Sequence, residues 1–475
     1  MATTILSWTL RLLRPSRGRL SALAGVTVLS TSFVLGSSAL ATNAATPAVT
    51  TQWYQYHGDA LGAGVAVGIH AVNLTTPAWT SRVLDGQLYG EPLVWKSEVL
   101  VATENDSVYA LSATTGKLVW SRHLGRAVPA RDLPCGDISP SVGITGTPVI
   151  DPVRREIFVV VDKLVNGKPS HELEGLSLTS GAVEMSRAVD TPGADAAAYL
   201  QRTGLTIDNG SVIFAMGGNY GDCSTYHGVV GSVPEAGGVP RFFIVDAKHG
   251  DTQGAVWMGG AAPAVDSSGN VWVTSGNGSV TSPGKPYDDS DGALELSSTL
   301  RLESYFAPRT WASDNSHDDD LSTVPAVLSD GQVVVTGKSG NIYLVKANHL
   351  GGVGGQEVTI SSDCGNDLDG GVAIHGATVY LPCLNGPIAV RVTTSPVRLK
   401  VVFRSSVGGG PPILVAQRLW TIGSDGTLYG LNSNTGAVMQ QANVGNQANH
   451  FPTPSVGDGL LLAASATQVI AFHAK

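Results

Sequence analysis

The chain has 475 residues, of which 14% are charged, against about a quarter in ordinary globular proteins. Its 58 glycines and 25 prolines point to many short strands joined by tight turns, and its length allows one large radial domain or two to three ordinary ones. A formal net charge of −9, with no cluster of Lys and Arg beyond residue 20, excludes a phosphate backbone as partner, so no nucleic acid is expected.

Residues 1–45 read differently from the rest. Arg11, Arg14, Arg17 and Arg19 precede the uncharged run Leu20 to Ala48, whose apolar heart, Leu23 to Leu35, leads to the small-x-small sequence Ala39-Leu40-Ala41. That order is expected of an export signal, and the run is also long enough to remain as an N-terminal anchor. Either outcome puts the folded part, residues 46–475, outside the cytoplasm, secreted or in the cell envelope, with membrane contact only through an uncleaved segment. Cys135, Cys223, Cys364 and Cys383 are an even set in such a chain and predict two disulfides. Three pairings are open. Cys364 with Cys383, close in sequence around a short strand segment, and Cys135 with Cys223 are favoured. No Cys-x-x-Cys is present, so zinc is not expected.

After a small, polar lead comes Trp53-Tyr-Gln-Tyr-His-Gly-Asp59, expected over one end of a channel or against the last sheet, with His57 and Asp59 capping turns. A repeated phrase follows: an inner apolar strand, a hairpin, then an outer strand. Its inner strands are anchored at Pro92, Pro148, Leu205, Pro263, Pro325, Val372, Pro412 and Pro454. The mean step is about 52 residues, near the roughly 40 to 50 of a four-stranded propeller blade. The cleanest copy is the first. There Val99-Leu-Val-Ala and Ser107-Val-Tyr-Ala-Leu flank a polar turn, Glu104-Asn105-Asp106, and Thr114-Thr115-Gly116 turns into an outer strand ending in Trp120, a plug for the next blade. Copies at Gly181, Gly250 and Gly436 keep the turn glycine, with Met185 and Gln440 at the Trp position. In the second copy, Glu156 to Asp162 is followed by a loop to His171. The last unit lacks an outer strand, and Ala78 to Val83 is expected to supply it, closing the ring. The prediction is an all-β, eight-bladed propeller of four-stranded antiparallel blades, with seven blades as the alternative.

The repeat, with Ala110, Thr115, Gly116 and Trp120 matching A-x-D-x-x-T-G-x-x-x-W, resembles that of the PQQ-like propellers, the quinoprotein alcohol dehydrogenase-like group. The opening at Trp53 resembles that of its secreted members. The resemblance implies two kinds of function. Dehydrogenases of this type hold PQQ over the channel mouth with calcium, a catalytic carboxylate and a disulfide between adjacent cysteines. This chain has no adjacent cysteines and one complete Trp-bearing motif, so no catalytic or cofactor residue is carried over, and PQQ and calcium are not expected. Assembly factors with this repeat instead serve as interaction platforms.

Among residues that could bear chemistry, Asp288 to Gly292 fails the spacing of an EF-hand. Asp318, Asp319 and Asp320, beside His317, are weak metal candidates in a segment resembling the D-x-D-L-x-x-x-P element of PQQ-like propellers. His227 and His450 read as structural hydrogen-bonders. The expectation is an exported, non-catalytic, monomeric scaffold that binds a protein, peptide or surface polymer. The alternative is a PQQ- or metal-dependent oxidoreductase.

Overall fold

The computed structural model describes residues 52–475 except 249, 277, 365–367 and 450, so residues 1–45, expected as an export signal or anchor, and His450 lie outside the described residues. Eight small antiparallel sheets follow one another along the chain as propeller blades. Each anchor stands one position before an inner strand. Leu93–Trp95 follows Pro92, Val149–Asp151 follows Pro148, Thr206–Asp208 follows Leu205, and Ala264–Val265 follows Pro263. Ala326–Val327, Ala373–His375, Ile413–Val415 and Ser455–Gly457 open the other four. The sheets behind Leu205 and Val372 are complete, which removes the seven-bladed alternative. Blade 4 exceeds expectation, because Gly352–Val353 adds in parallel to its outer strand, Leu302–Ala307.

The ring closes as expected. Trp79–Thr80 pairs with Val469–Ala474, the last strand of the chain, and Val72–Asn73 pairs with its end. Closure leaves blade 8 with no open edge between the two termini.

Adjacent blades are joined by a large side chain seated on a glycine turn. In blade 1, Trp120 lies over Gly181 of blade 2 and donates its indole N–H to the Leu178 carbonyl at 2.9 Å. Trp79 repeats the arrangement on Gly116, donating to the Ala113 carbonyl at 2.6 Å, and Phe403 of blade 6 covers Gly436 of blade 7. All three glycines have φ between +67° and +72°, and a Cβ on any of them would meet the ring at 2.5 Å. Glycine is therefore required twice, by the turn and by the close approach. Where the Trp position holds Met185 the side chain rests near Gly237, and Gln440 hydrogen-bonds the closing strand at Val72 and Leu74. Gly250 keeps its turn, φ +74°, but has no neighbour within 4 Å of a Cβ.

Two expectations are corrected. The stretch to His171 is not a loop: Glu156–Val165 and Lys168–Ser177 form one long hairpin, turning at Asn166-Gly167, with Asp162 opposite His171. That pair is polar, so apolar alternation did not reveal the strand. The opening segment lies neither over one end of the channel nor against the last blade. It is inside. Trp53 runs antiparallel beside Val94 of blade 1. The chain turns between His57 and Gly64, and Val65–Ala66 returns parallel to the inner strand of blade 7. Inner-strand N–H groups of blades 2, 4, 6 and 7 donate to the carbonyls of Tyr54, Ala60, Ala63 and Gly64 at 2.6 to 2.8 Å. The inserted hairpin thus uses ladder positions that face an empty channel in an unplugged ring.

Trp120 is 9% exposed. Its replacement by Ala is expected to cost about 3 kcal/mol or more, the usual range for a buried Trp, measured by urea unfolding. Gly181→Val should destabilise similarly, and the double variant by less than the sum because the two sites touch. A loss under about 1 kcal/mol for Trp120→Ala would show that this contact does not hold the blades together.

Candidate functional site

Propeller loops gather where inner strands begin. At that end lies a cavity of about 610 Å³ lined by residues of many blades, among them Tyr89, Arg202, Trp257, Asp320, Lys338 and Phe451. Beyond it, along the channel, the inserted hairpin occupies the space between the inner strands. The Tyr56 hydroxyl accepts the Gly371 N–H at 3.1 Å and lies 3.3 Å from the Thr453 hydroxyl. Trp53 Nε1 and the His57 N–H both donate to the buried Glu91 carboxylate, at 2.9 and 2.8 Å. The His57 ring stacks on Tyr56 with 4.4 Å between centroids and meets the Val372 carbonyl through Nδ1 at 2.9 Å. Burial pushes His57 down to about 4, so it is neutral at physiological pH. Asp59 Oδ1 accepts the Ala63 N–H at 3.0 Å. Both residues hold the hairpin's turn.

One wall is Trp257, whose indole N–H donates to the Gly218 carbonyl at 3.0 Å. Lys338 projects from the turn Gly337 to Asn341 of blade 5 and lies 6.0 Å from the Trp257 ring centre. Its ammonium bridges Asp318 at 2.7 Å and Asp320 at 2.9 Å. Burial opposes the lysine's charge, but Asp320 and Asp318 outweigh it and raise its pKa. Asp318, exposed, caps the short helix Trp311–His317 in a left-handed conformation, φ 60°. Asp320 is buried, and Asp319 donates its N–H to the Asp314 carbonyl. The three aspartates are thus divided between a helix end and a lysine, and no group of three or more His, Cys, Asp or Glu among the described residues is arranged to hold a metal. A calcium ion does not fit this donor set, with Asp318 and Asp320 engaged by Lys338, so no step is derived through it.

The disulfides join Cys135 to Cys223, Cα to Cα 6.3 Å, and Cys364 to Cys383, 5.9 Å. The first ties the loop ahead of blade 2 to the long blade 3 loop at the cavity rim, beside Gly221. The Asp288 to Gly292 segment is buried: Asp288 accepts from Ser290, Asp289 pairs with Lys248 at 2.6 Å, and Asp291 accepts the Leu321 N–H. His227 meets Asp246 at 2.5 Å.

The sequence did not foresee Trp257, Arg202 or Lys338 as neighbours, nor the fate of the turn Glu104-Asn105-Asp106. Its two acids are buried with Asp162 between blades 1 and 2. Glu104 accepts the Gly143 N–H at 2.7 Å, while both oxygens of Asp106 lack a hydrogen-bond partner. Burial, with Asp162 and Glu104 adding like charge, pushes Asp106 up to about 9, and burial pushes Glu104 and Asp162 each up to about 7.

The family described as outer membrane protein assembly factor BamB matches residues 50–239. No curated protein sequence matches the chain. Among solved structures it is similar to the quinohemoprotein alcohol dehydrogenase ADHIIG from Pseudomonas putida HK5, at 12% identity and TM-score 0.61, over 89% of this chain and 80% of that one. The quinohemoprotein alcohol dehydrogenase from Comamonas testosteroni gives 12% and 0.60 over the same shares. BamB from Moraxella catarrhalis gives 14% and 0.50, over 85% of this chain and 98% of that one. At such identities the likeness is one of fold.

The buried acids predict a pH dependence. Unfolded carboxyls titrate near 4, so raising the pH favours the unfolded, ionised chain until the folded values, about 7 for Glu104 and Asp162 and about 9 for Asp106, are passed. Melting temperature should fall between pH 6 and pH 9.5, and Asp106→Asn should flatten the alkaline part of the curve. Parallel profiles for the two proteins would refute the assignment.

Proposed function

We propose that this chain, a PQQ-like β-propeller repeat protein, is an exported, non-catalytic and monomeric binding module whose end cavity receives part of a protein or cell-envelope ligand. The observation that carries the reading is the closed cup: loops of many blades converge on a cavity with an aromatic wall, while the hairpin of residues 53–66 occupies the channel beneath it. Its carboxylates Asp318 and Asp320 are engaged with Lys338, which suits a preformed recognition surface better than proton transfer. The match of residues 50–239 to the assembly-factor family supports a protein partner. Two disulfides support an oxidising compartment outside the cytoplasm, with export through residues 1–45.

The alternative, a quinone- or metal-dependent oxidoreductase, draws on the likeness to the alcohol dehydrogenases and on Trp257 in the cavity wall. Addition of PQQ with Ca²⁺ separates the two readings. No saturable dye reduction and no new visible absorbance band are expected, and a saturable signal would reverse the preference. The binding reading has its own check. A photo-crosslinking residue at Tyr220, 70% exposed on the cavity rim, should label an envelope protein, whereas one at Val153, in an inner hairpin turn at the opposite end, should not. Equal labelling from both ends would sink the assignment of the cavity as the binding face.

A further inference from the structure

We propose that the cavity is built to take the free carboxyl end of a peptide, with Arg202 as the partner of the terminal carboxylate. The inference rests on the binding-module reading and names its ligand class. Two lysine or arginine side chains line the cavity among the described residues, Arg202 and Lys338. Lys338 is neutralised by two aspartates. Arg202 is not: among the described residues no carboxylate lies within ion-pair distance of its guanidinium and no hydrogen bond reaches it. It lies over the face of the Tyr89 ring, 5.7 Å from the centroid. Gly260 packs against the guanidinium so closely that a Cβ there would strike it, so the group lies between Gly260 and the Tyr89 ring. Glu104 and Asp137 act on the charge from farther away, and burial leaves Glu104 at about 7, only partly ionised near neutrality. A partly desolvated cation without an ion-pair partner is an anion subsite, and a planar guanidinium matches a carboxylate with two parallel hydrogen bonds.

The shape of the cavity selects a chain end. Because the hairpin of residues 53–66 fills the channel below, with Tyr56 bonded to Gly371 and beside Thr453, a segment that enters the cup cannot pass through it. A terminus fits a dead end; a through-running strand does not. The rim carries an apolar stretch, with Leu384 and Tyr220 both exposed beside Phe451 and Trp257, which calls for large apolar side chains at the ligand's last positions. Asp137, exposed at the same rim, can accept a peptide N–H. A fatty acid would offer a carboxylate and an apolar body but no such donor, so the peptide is preferred. Capture of a peptide's C-terminal carboxylate is an established recognition mode.

The experiment uses the full folded propeller and a fluorescein-labelled pool of random hexapeptides ending in Leu, as free acids and as carboxamides, with binding read by fluorescence polarisation. The free acids should bind about 10-fold or more tightly than the amides, the scale of one charge-assisted contact. Arg202→Gln should bring the acids down to the level of the amides, with Arg202→Lys between. If Arg202→Gln fails to fold, the acid-to-amide ratio on the unaltered protein still decides. Equal binding of acids and amides, unchanged in Arg202→Gln, would overturn the carboxylate subsite while leaving a binding cavity. Arg202-dependent binding of decanoate without any binding of the peptides would overturn the peptide in favour of an acyl ligand. Absence of peptide binding together with Tyr220-specific cross-linking in the envelope would overturn this inference and spare the reading on which it rests.

Discussion

The fold depends on one repeated contact: a bulky side chain of one blade lying on a glycine turn of the next. A propeller blade has a small core of its own, and its flanks must be buried by neighbours. The glycine admits a flat ring to van der Waals distance and accepts the positive φ of the turn, while the indole N–H satisfies a carbonyl that the packed interface removes from water. Trp79 makes this contact from the N-terminal closing strand onto blade 1, so ring closure and blade docking are the same interaction. The motif thins out around the ring, and Met185, Gln440 and Phe403 show that bulk or hydrogen bonding at that position can replace the indole.

The inserted hairpin is the second determinant. The tube at the centre of a propeller exposes the backbone groups of its innermost strands, and here residues 53–66 take up those groups on several blades. Trp53, Tyr56, His57 and Gly58 act together: Gly58, φ +86°, has no Cβ to strike the Trp53 ring, and Glu91 gathers the indole and the His57 amide. The consequence for function is geometric. A channel becomes a cup, and whatever binds does so from one side.

Charge is distributed unevenly within that cup. Lys338 is shared by two aspartates, the acids of blades 1 and 2 are held partly protonated by burial, and of the two cationic side chains among the described residues that line the cavity, Arg202 is the one without an ion-pair partner. Recognition and stability therefore draw on neighbouring but different groups. Glu104 connects them, since it belongs to the buried acid cluster and also acts on Arg202 across the cavity wall.

Much of the architecture was legible in the sequence. Each of the eight anchors stands one residue before an inner strand, and the Trp79 segment supplies the missing outer strand. Those features were readable because strand alternation, turn glycines and a small or proline residue before a strand are local signals that recur at blade spacing. The position of the Trp53 segment, the burial of Glu104 and Asp106 in what reads as a solvent turn, and the meeting of Trp257, Lys338 and Arg202 were settled by tertiary structure alone. The reason is the geometry of a closed ring: its central cavity takes one or two residues from loops hundreds of positions apart, and no pattern within a blade-length window records which of them will face one another.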